Sequence, residues 1–365
     1  MQRITRTLFY ILILPATLAL GGWQGWAWWS WATAPALSSS DPSSLTADDS
    51  LIRMDIPSGT SARQIGQDLK AVGLIRSTTA WDLWARWQML RDRPGGFLAG
   101  TYELSPTTPM VAIADQIWDG DVATQQFTIP EGWSIQQMAA YFEAEGLFSA
   151  DEFIAASQAV PYDAYPWLPR GLPHLEGFLY PDTYELAYPL TAEMVIRQML
   201  DRFETVALPI YQESSSQSSY TILEWVTLSS IVEKEAVVGQ ERPLIASVFA
   251  KRLREDIPLG ADPTVEYGLG IQQTPEQPLT LAEVRTPSPY NTYINPGLPP
   301  TPISSPGLAS LEVSLDPADT EYLYFVARYD GTHVFSRTLE EHESAQGRIR
   351  DEVDGDRSSS ADRVN

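Results

Sequence analysis

Ile56-Pro57-Ser58-Gly59-Thr60-Ser61 returns further along the chain as Ile129-Pro130-Glu131-Gly132-Trp133-Ser134. The correspondence continues without gaps through Gln64 and Gln137, Leu69 and Phe142, Ala71 and Ala144, and Gly73-Leu74 and Gly146-Leu147. A second pair of segments extends it: Gly96-Phe97-Leu98 with Thr101-Tyr102-Glu103-Leu104, and Gly177-Phe178-Leu179 with Thr183-Tyr184-Glu185-Leu186. A chain that repeats itself in this way builds one supersecondary unit twice. Both copies carry S-x-x-Q, Ser61 to Gln64 and Ser134 to Gln137, the capping box that opens a helix. Each copy therefore reads as strand, turn, amphipathic helix, then a second strand and helix. The copies are not chemically equal, because the second has Glu176 where the first has Gly95, and one extra residue in EGFLYPDTYEL. A paired-strand scaffold explains the shared positions but not the carboxylates Glu176 and Asp182.

Residues 220–238, YTILEWVTLSSIVEKEAVV, leave little polar surface and predict a largely buried helix. Gly239 suits the C′ position, which would end the helix at Val238 and put Glu235 in its last turn. Glu235 falls one and two turns after Ile231 and Leu228. Desolvation by those neighbours and the negative end of the helix dipole both raise a carboxyl pKa, as a group that donates protons near neutrality requires. Glu233 points to another face, with Val226, Ser229 and Val237. The plainer reading is that one or both glutamates pair with Arg242, Arg252 or Lys234.

Ahead of the repeat, residues 8–20 are unbroken apolar sequence, followed by GGWQGWAWWSW. About 20 apolar residues cross a bilayer, and Trp23, Trp26, Trp28, Trp29 and Trp31 suit an interfacial belt. Arg3 and Arg6 before the stretch and Asp41, Asp48 and Asp49 after it leave the N-terminus in the cytoplasm. The expectation is an uncleaved single-pass anchor, the rival being a signal peptide with Ala32-Thr33-Ala34 as its cleavage site.

The 365 residues suit two domains plus such a segment. A net charge of −23 argues against nucleic acid as a partner, since no basic surface is available for phosphates. With no cysteine and three histidines in no H-x-x-x-H pair, thiol chemistry is impossible and a zinc site is not expected. After a helix expected near 241–255, with Pro243 in its first turn, residues 258–307 are dense in proline and glycine and read as a long irregular binding loop. Tyr267, Tyr290 and Tyr293 offer flat faces with polar tips, and Asn291 and Thr292 offer donors and acceptors, an inventory suited to sugar rings. A structural crossover is the alternative. YLYFVAR at 322–328 and GTHVFS at 331–336 predict a hairpin.

EGFLYPDTYEL (176–186), SSIVEKEA (229–236), RPLIASVFAKRL (242–253), DPTVEYG (262–268), SPYNTYINPGLPPTPISSPG (288–307) and LYFVARYDGTHVFSRTLEEH (323–342) resemble the endolytic murein transglycosylases, the MltG or YceG-like family. Gly260-Ala261 and Glu266 depart from the family's usual residues. The resemblance implies an α+β fold: an N-terminal transmembrane helix, a small LysM-like α/β module, and a mixed α+β catalytic domain with a central buried helix. The expected divisions are cytoplasmic N-terminus and anchor 1–34, linker 35–50, LysM-like module 51–126, catalytic domain 127–345 and disordered tail 346–365.

It also implies a single-pass plasma-membrane enzyme with an extracytoplasmic catalytic domain. Such an enzyme cleaves the MurNAc–GlcNAc bond of nascent peptidoglycan strands, leaves 1,6-anhydroMurNAc ends and terminates elongation. IVEKEA is similar to the catalytic pattern of lysozyme-like lytic transglycosylases, with Glu235 in the place of the catalytic carboxylate and Glu233 as the alternative. Glu176, Tyr180, Asp182, Thr183, Asp262, Thr264, Tyr267, Tyr290, Asn291 and Tyr293 are the implied substrate-binding residues. No cofactor or metal is called for; the implied partners are glycan strands, the membrane and peptidoglycan synthases. Two other classes remain open, a hydrolytic muramidase using Glu176 or Asp262 as second carboxylate and a non-catalytic wall-binding scaffold.

Overall fold

The computed structural model describes residues 13–37, 51–91, 95–214, 219–274, 277–328 and 330–361. The fold is α+β, with small two-stranded sheets among many helices. The chain divides into two compact units, one formed within residues 1–125 and 185–190, the other within 126–184 and 191–365.

The first unit holds α1 (Leu14–Thr33), β1 (Ile52–Ile56), α2 (Ala62–Ala71), α3 (Thr78–Leu90), β2 (Gly100–Leu104) and α4 (Met110–Asp119). β1 and β2 are antiparallel, with Ile52 opposite Leu104 and Ile56 opposite Gly100. Ile56, Ile65, Leu69, Trp81, Tyr102 and Ile113 form the centre of its core, which the end of α1 joins through Ala32 and Trp29. Among the described residues no helix is long and apolar enough to cross a membrane. α1 is described from Leu14, and residues 8–12 of the apolar stretch lie outside the described residues. The rest of α1 intersperses Gly21, Gly22, Gln24, Gly25 and Ser30 among tryptophans, whose usual place is the interface rather than the bilayer centre. Residues 1–12, where the expected span begins, lie outside the described residues, as do 38–50, most of the expected linker.

The strands β3 (Thr124–Thr128) and β4 (Thr183–Ala187) pair with each other, and the division between the units runs through both. In β3, β4 and α5 (Ile135–Ala144) the repeat becomes visible in backbone detail. Ser61 and Ser134 each accept from the amide three residues on, at 3.2 and 3.4 Å. Leu74 N–H donates to Leu69 O at 2.9 Å, and Leu147 N–H donates to Phe142 O at 3.1 Å. Tyr102 and Tyr184 both donate their hydroxyl to the carbonyl four residues earlier, that of Leu98 and that of Tyr180. One detail differs from expectation. The capping box is complete only in the second copy, because Gln64 turns instead to Asp68 at 2.8 Å.

The second unit continues with α6 (Ala150–Gln158), α7 (Ala192–Ser214), α8 (Ile222–Glu235), α9 (Arg242–Arg254), α10 (Asp262–Leu269), α11 (Leu281–Val284), α12 (Leu308–Leu315), β5 (Tyr324–Ala327), β6 (His333–Ser336) and α13 (Leu339–Ala361). α8 is its axis. A capping box between Thr221 and Glu224 opens the helix, and every residue from Trp225 to Val232 is buried. Trp225 Nε1 donates to Leu311 O at 2.9 Å and ties α8 to α12, while Leu228, Ile231 and Val232 share a core with Ile245 and Phe249 of α9.

Three boundaries depart from the sequence reading. α8 stops at Glu235 rather than Val238, because Ala236 leaves the helical region at φ −86°, ψ 89°. Gly239 does not cap α8; it opens a short 3₁₀ turn before α9. Residues 258–307 are not wholly irregular, since Pro263 at the first turn of α10 presets a helix over DPTVEYGL. α13 runs to Ala361, so residues 346–361 are helical where a disordered tail was expected; Thr338 accepts from Glu341 N–H at 3.2 Å to start it, and no proline interrupts it. Residues 362–365 lie outside the described residues.

Candidate active site

The C-terminal end of α8 presents its two glutamates to different surroundings. The Glu233 side chain is 7% exposed and fully occupied. Arg242 Nη2 donates to Oε1 at 3.2 Å, and Gly307 N–H donates to Oε2 at 3.1 Å. Glu131, from the turn before α5, lies 3.9 Å from the same guanidinium. This is the structural ion pair that the plainer reading foresaw.

Glu235 is different. It is partly buried, and its carboxyl oxygens take no hydrogen bond from any described residue. Burial pushes the carboxyl up to about 8, with the charges of Asp262 and Glu266 adding to the shift and Arg252 opposing it. Arg252 is itself held by backbone carbonyls, with Nε donating to Leu323 O at 2.6 Å and Nη1 to Leu259 O at 2.6 Å. Asp262, the first residue of α10, accepts from Tyr293 OH at 2.6 Å. The Tyr293 hydroxyl is held well above the usual tyrosine range by burial, by Asp262 and by the Glu235 charge.

A second cluster centres on Glu176, which is 2% exposed. Ile135 N–H, in the first turn of α5, donates to both its oxygens, at 3.0 and 3.2 Å, and Tyr267 OH donates to Oε2 at 3.0 Å. Burial raises this carboxyl to about 8 against the pull of those hydrogen bonds. Gly177 is what lets the loop carrying Glu176 lie against α8. Its φ is +83°, and a Cβ there would stand 2.4 Å from Pro302 and 2.9 Å from Val226. Tyr267 packs on Tyr290, ring centres 4.8 Å apart, and Tyr290 OH bonds Thr301 at 2.8 Å.

α10 joins the clusters, with Asp262 and Glu266 acting on Glu235 and Tyr267 on Glu176. A cleft of 690 Å³ is lined by Lys234, Glu266, Tyr267 and Tyr290, with Gln136 and Gln272 among the polar groups facing it. Glu235 does not itself line this cleft; its neighbours Lys234 and Glu266 do.

The other sequence-named residues serve the scaffold. Asp182 is paired with Arg202 at 2.6 Å and caps Thr183 N–H. Thr183 bonds Thr128 across the strands at 2.9 Å. Tyr180 is buried and receives the Tyr184 hydroxyl on its carbonyl. Thr264 and Asn291 are fully buried: Thr264 bonds Thr292 and Ala261 O, and Asn291 Nδ2 holds Val284 O and Thr286 O at 2.8 and 2.9 Å. Thr264 and Asn291 thus hold the loops that carry them. Sequence reasoning missed Glu266 and Arg252 as site residues, though the unusual carboxylate at 266 was itself a signal. Among the described residues no group of His, Cys, Asp or Glu side chains could hold a metal ion.

The chain is α+β, and its buried helix ends on a carboxyl that takes no hydrogen bond from any described residue, next to the Lys234 that lines a polar cleft with Tyr267 and Tyr290. The model of the YceG-like family matches residues 54–348, and the chain belongs to that family. It is 32% identical over 312 residues to the endolytic murein transglycosylase of Bacillus subtilis strain 168, covering 81% of this chain and 84% of that one. It is 29% identical to the endolytic murein transglycosylase of Streptococcus pneumoniae serotype 2, covering 91% of this chain but spanning only 63% of that longer protein. The crystal structure of a yceG-like protein from Listeria monocytogenes aligns with a TM-score of 0.56 at 32% identity, covering 81% of this chain and 99% of that one.

Proposed function

We propose that this chain is an endolytic peptidoglycan lytic transglycosylase that cleaves the MurNAc–GlcNAc bond and leaves a 1,6-anhydroMurNAc end, with Glu235 as its acid–base group. The observation that carries the reading is the contrast on α8: Glu233 is consumed by Arg242 and Gly307, whereas Glu235 has no hydrogen-bond partner among the described residues and burial pushes its carboxyl up to about 8. The names of the relatives from B. subtilis and S. pneumoniae support the substrate class.

Glu235 gives its proton to the glycosidic oxygen as the bond to C1 of MurNAc breaks. The C6 hydroxyl of the same sugar forms the new bond to C1 and loses its proton to the Glu235 carboxylate. The acid is restored and no water is consumed. Because that nucleophile is tethered to its target, proximity takes the place of the second carboxylate that hydrolytic glycosidases need. Tyr267, Tyr290 and Tyr293 supply faces for sugar rings, and no cofactor takes part. Asp262 and Glu266 keep the proton on Glu235 until the leaving oxygen needs it.

The finer parts of the proposal rest on sequence. Residues before and within α1 anchor the chain in the plasma membrane with the remainder outside the cytoplasm, residues 51–126 act as a LysM-like module, and cleavage of nascent strands beside synthases ends their growth. A reporter active only outside the cytoplasm, fused after Asn365, should be active. The central test is mass spectrometry of purified glycan digested by the full chain. Anhydro ends lighter than reducing ends by one water support the reading, and Glu235→Gln should abolish them. Products carrying the added water make the protein a muramidase, and glycan binding without turnover by the unaltered chain makes it a scaffold.

A further inference from the structure

α3 turns one face away from the core of its unit. Leu83 and Trp87 are each 47% exposed and Leu90 is 84% exposed, while Trp81, Trp84, Ala85 and Gln88 take the buried side. At 3.6 residues per turn the three exposed side chains fall in a stripe about 60° wide. Arg86 and Arg91 flank it, one on each side by the same spacing, and the Arg91 guanidinium lies 3.9 Å from the centre of the Trp87 ring. The stripe borders an apolar groove of 540 Å³ lined by Trp29, Leu83, Trp84, Trp87 and Val111. Trp29 belongs to α1, whose Trp23, Trp26 and Trp31 are all more than half exposed. Aromatic surface therefore continues from α1 across the groove onto α3.

Contiguous exposed apolar surface of this kind marks a contact site, and the charges at its edge say with what. The chain carries −23 overall, yet the stripe is bracketed by arginines, and the one acidic residue of α3, Asp82, is set back beyond Arg86 on the helix. We infer that this face binds the surface of a lipid bilayer. Leu83, Trp87 and Leu90 enter the acyl boundary, the tryptophan rings sit at headgroup level, and Arg86 and Arg91 meet anionic lipid phosphates with their stems lying along the apolar stripe. The inference does not require the residues before α1 to cross the bilayer, and it is independent of the catalytic reading.

The absence of cysteine from the chain makes the test clean, because a single introduced cysteine is labelled at one place. Leu83→Cys, Leu90→Cys and Met89→Cys, in the full chain with vesicles of phosphatidylglycerol and phosphatidylcholine, are each given a nitroxide spin label. All three positions are exposed, at 47%, 84% and 62%, so folding is not at stake. Labels at 83 and 90 should be relaxed several-fold more by oxygen than by a water-soluble nickel chelate, and the label at 89, off the stripe, should show the reverse. Arg86→Glu with Arg91→Glu should return the label at 90 to the aqueous pattern. A label at 90 that stays equally open to the chelate with and without vesicles overturns the inference. So does dipolar broadening between labels at 90 that vanishes on dilution with unlabelled chain, since that identifies a second copy as the occupant.

Discussion

Glu233 and Glu235 leave the same helix two residues apart, and the protein treats them in opposite ways. The Glu233 side is built from a cation and a donated amide, Arg242 and Gly307, and stabilises a carboxylate. The Glu235 side is built from apolar surface and two further acids, Asp262 and Glu266, and stabilises a carboxylic acid. Side-chain type and helix position are nearly the same, so what separates an ion-pair residue from a proton donor is what the neighbouring loops bring. The helix rotation between them sends one side chain towards the loop ending at Gly307 and the other towards α10.

The largest expected effect breaks this comparison directly. Glu235→Gln keeps the size and removes the exchangeable proton, so turnover should fall by about 10²–10⁴-fold or more, measured as release of anhydro ends. Glu233→Gln should leave activity per folded molecule within a few-fold but lower stability by about 1–3 kcal/mol, because Arg242 loses the nearer of its two charged partners. Denaturant unfolding of the two variants checks the split. A large activity loss in Glu233→Gln at unchanged stability would exchange the two roles.

A smaller effect concerns pH. The folded chain binds the Glu235 proton more tightly than the unfolded chain does. Its contribution to stability is therefore fully present below about 4.5 and is lost as pH rises through about 8. Glu235→Gln has no such loss. The variant should gain on the parent as pH rises across that window, by about 1–3 kcal/mol at its alkaline end, less than the full shift converts to because the carboxyl keeps some solvent. Melting temperatures of both proteins at pH 5 and pH 9 measure it.

Much of the fold was legible because it depends on local signals. The repeated I-P-x-G-x-S turns, the S-x-x-Q caps and the apolar run of α8 announce themselves within a few residues. Gln64 has Asp68 within reach one turn on and takes it in preference to closing its box, a choice the motif alone does not reveal. The end of α8 shifted because Ala236 leaves the helical region three residues before Gly239. Among the site residues, Glu176, Tyr267, Tyr290, Tyr293 and Asp262 do converge around α10. Thr264 and Asn291 were named for their hydrogen-bonding capacity, and the structure spends that capacity on holding backbone carbonyls. A polar side chain in a proline-rich loop looks the same in sequence whether it faces a ligand or the loop itself.

The finest test asks which acid sets the proton affinity of Glu235. Asp262 opposes its ionisation more than Glu266 does, and both act through charge alone. Asp262→Asn retains an acceptor for Tyr293 OH, and Glu266→Gln retains one for the Gln273 amide that its Oε1 now accepts at 2.7 Å. Each substitution therefore removes a negative charge while keeping the local hydrogen bond. With less repulsion the Glu235 carboxylate forms more readily, so the fraction of enzyme holding its proton falls at lower pH. The alkaline limb of turnover against pH should move to lower pH in both variants, further in Asp262→Asn, with acid-side rates little changed. Should Glu266→Gln move the limb more than Asp262→Asn, Glu266 is the principal partner of the acid. Should neither move it, the ionisation seen in turnover belongs to another group, and Glu176, buried and raised to a similar value, is the one to replace next.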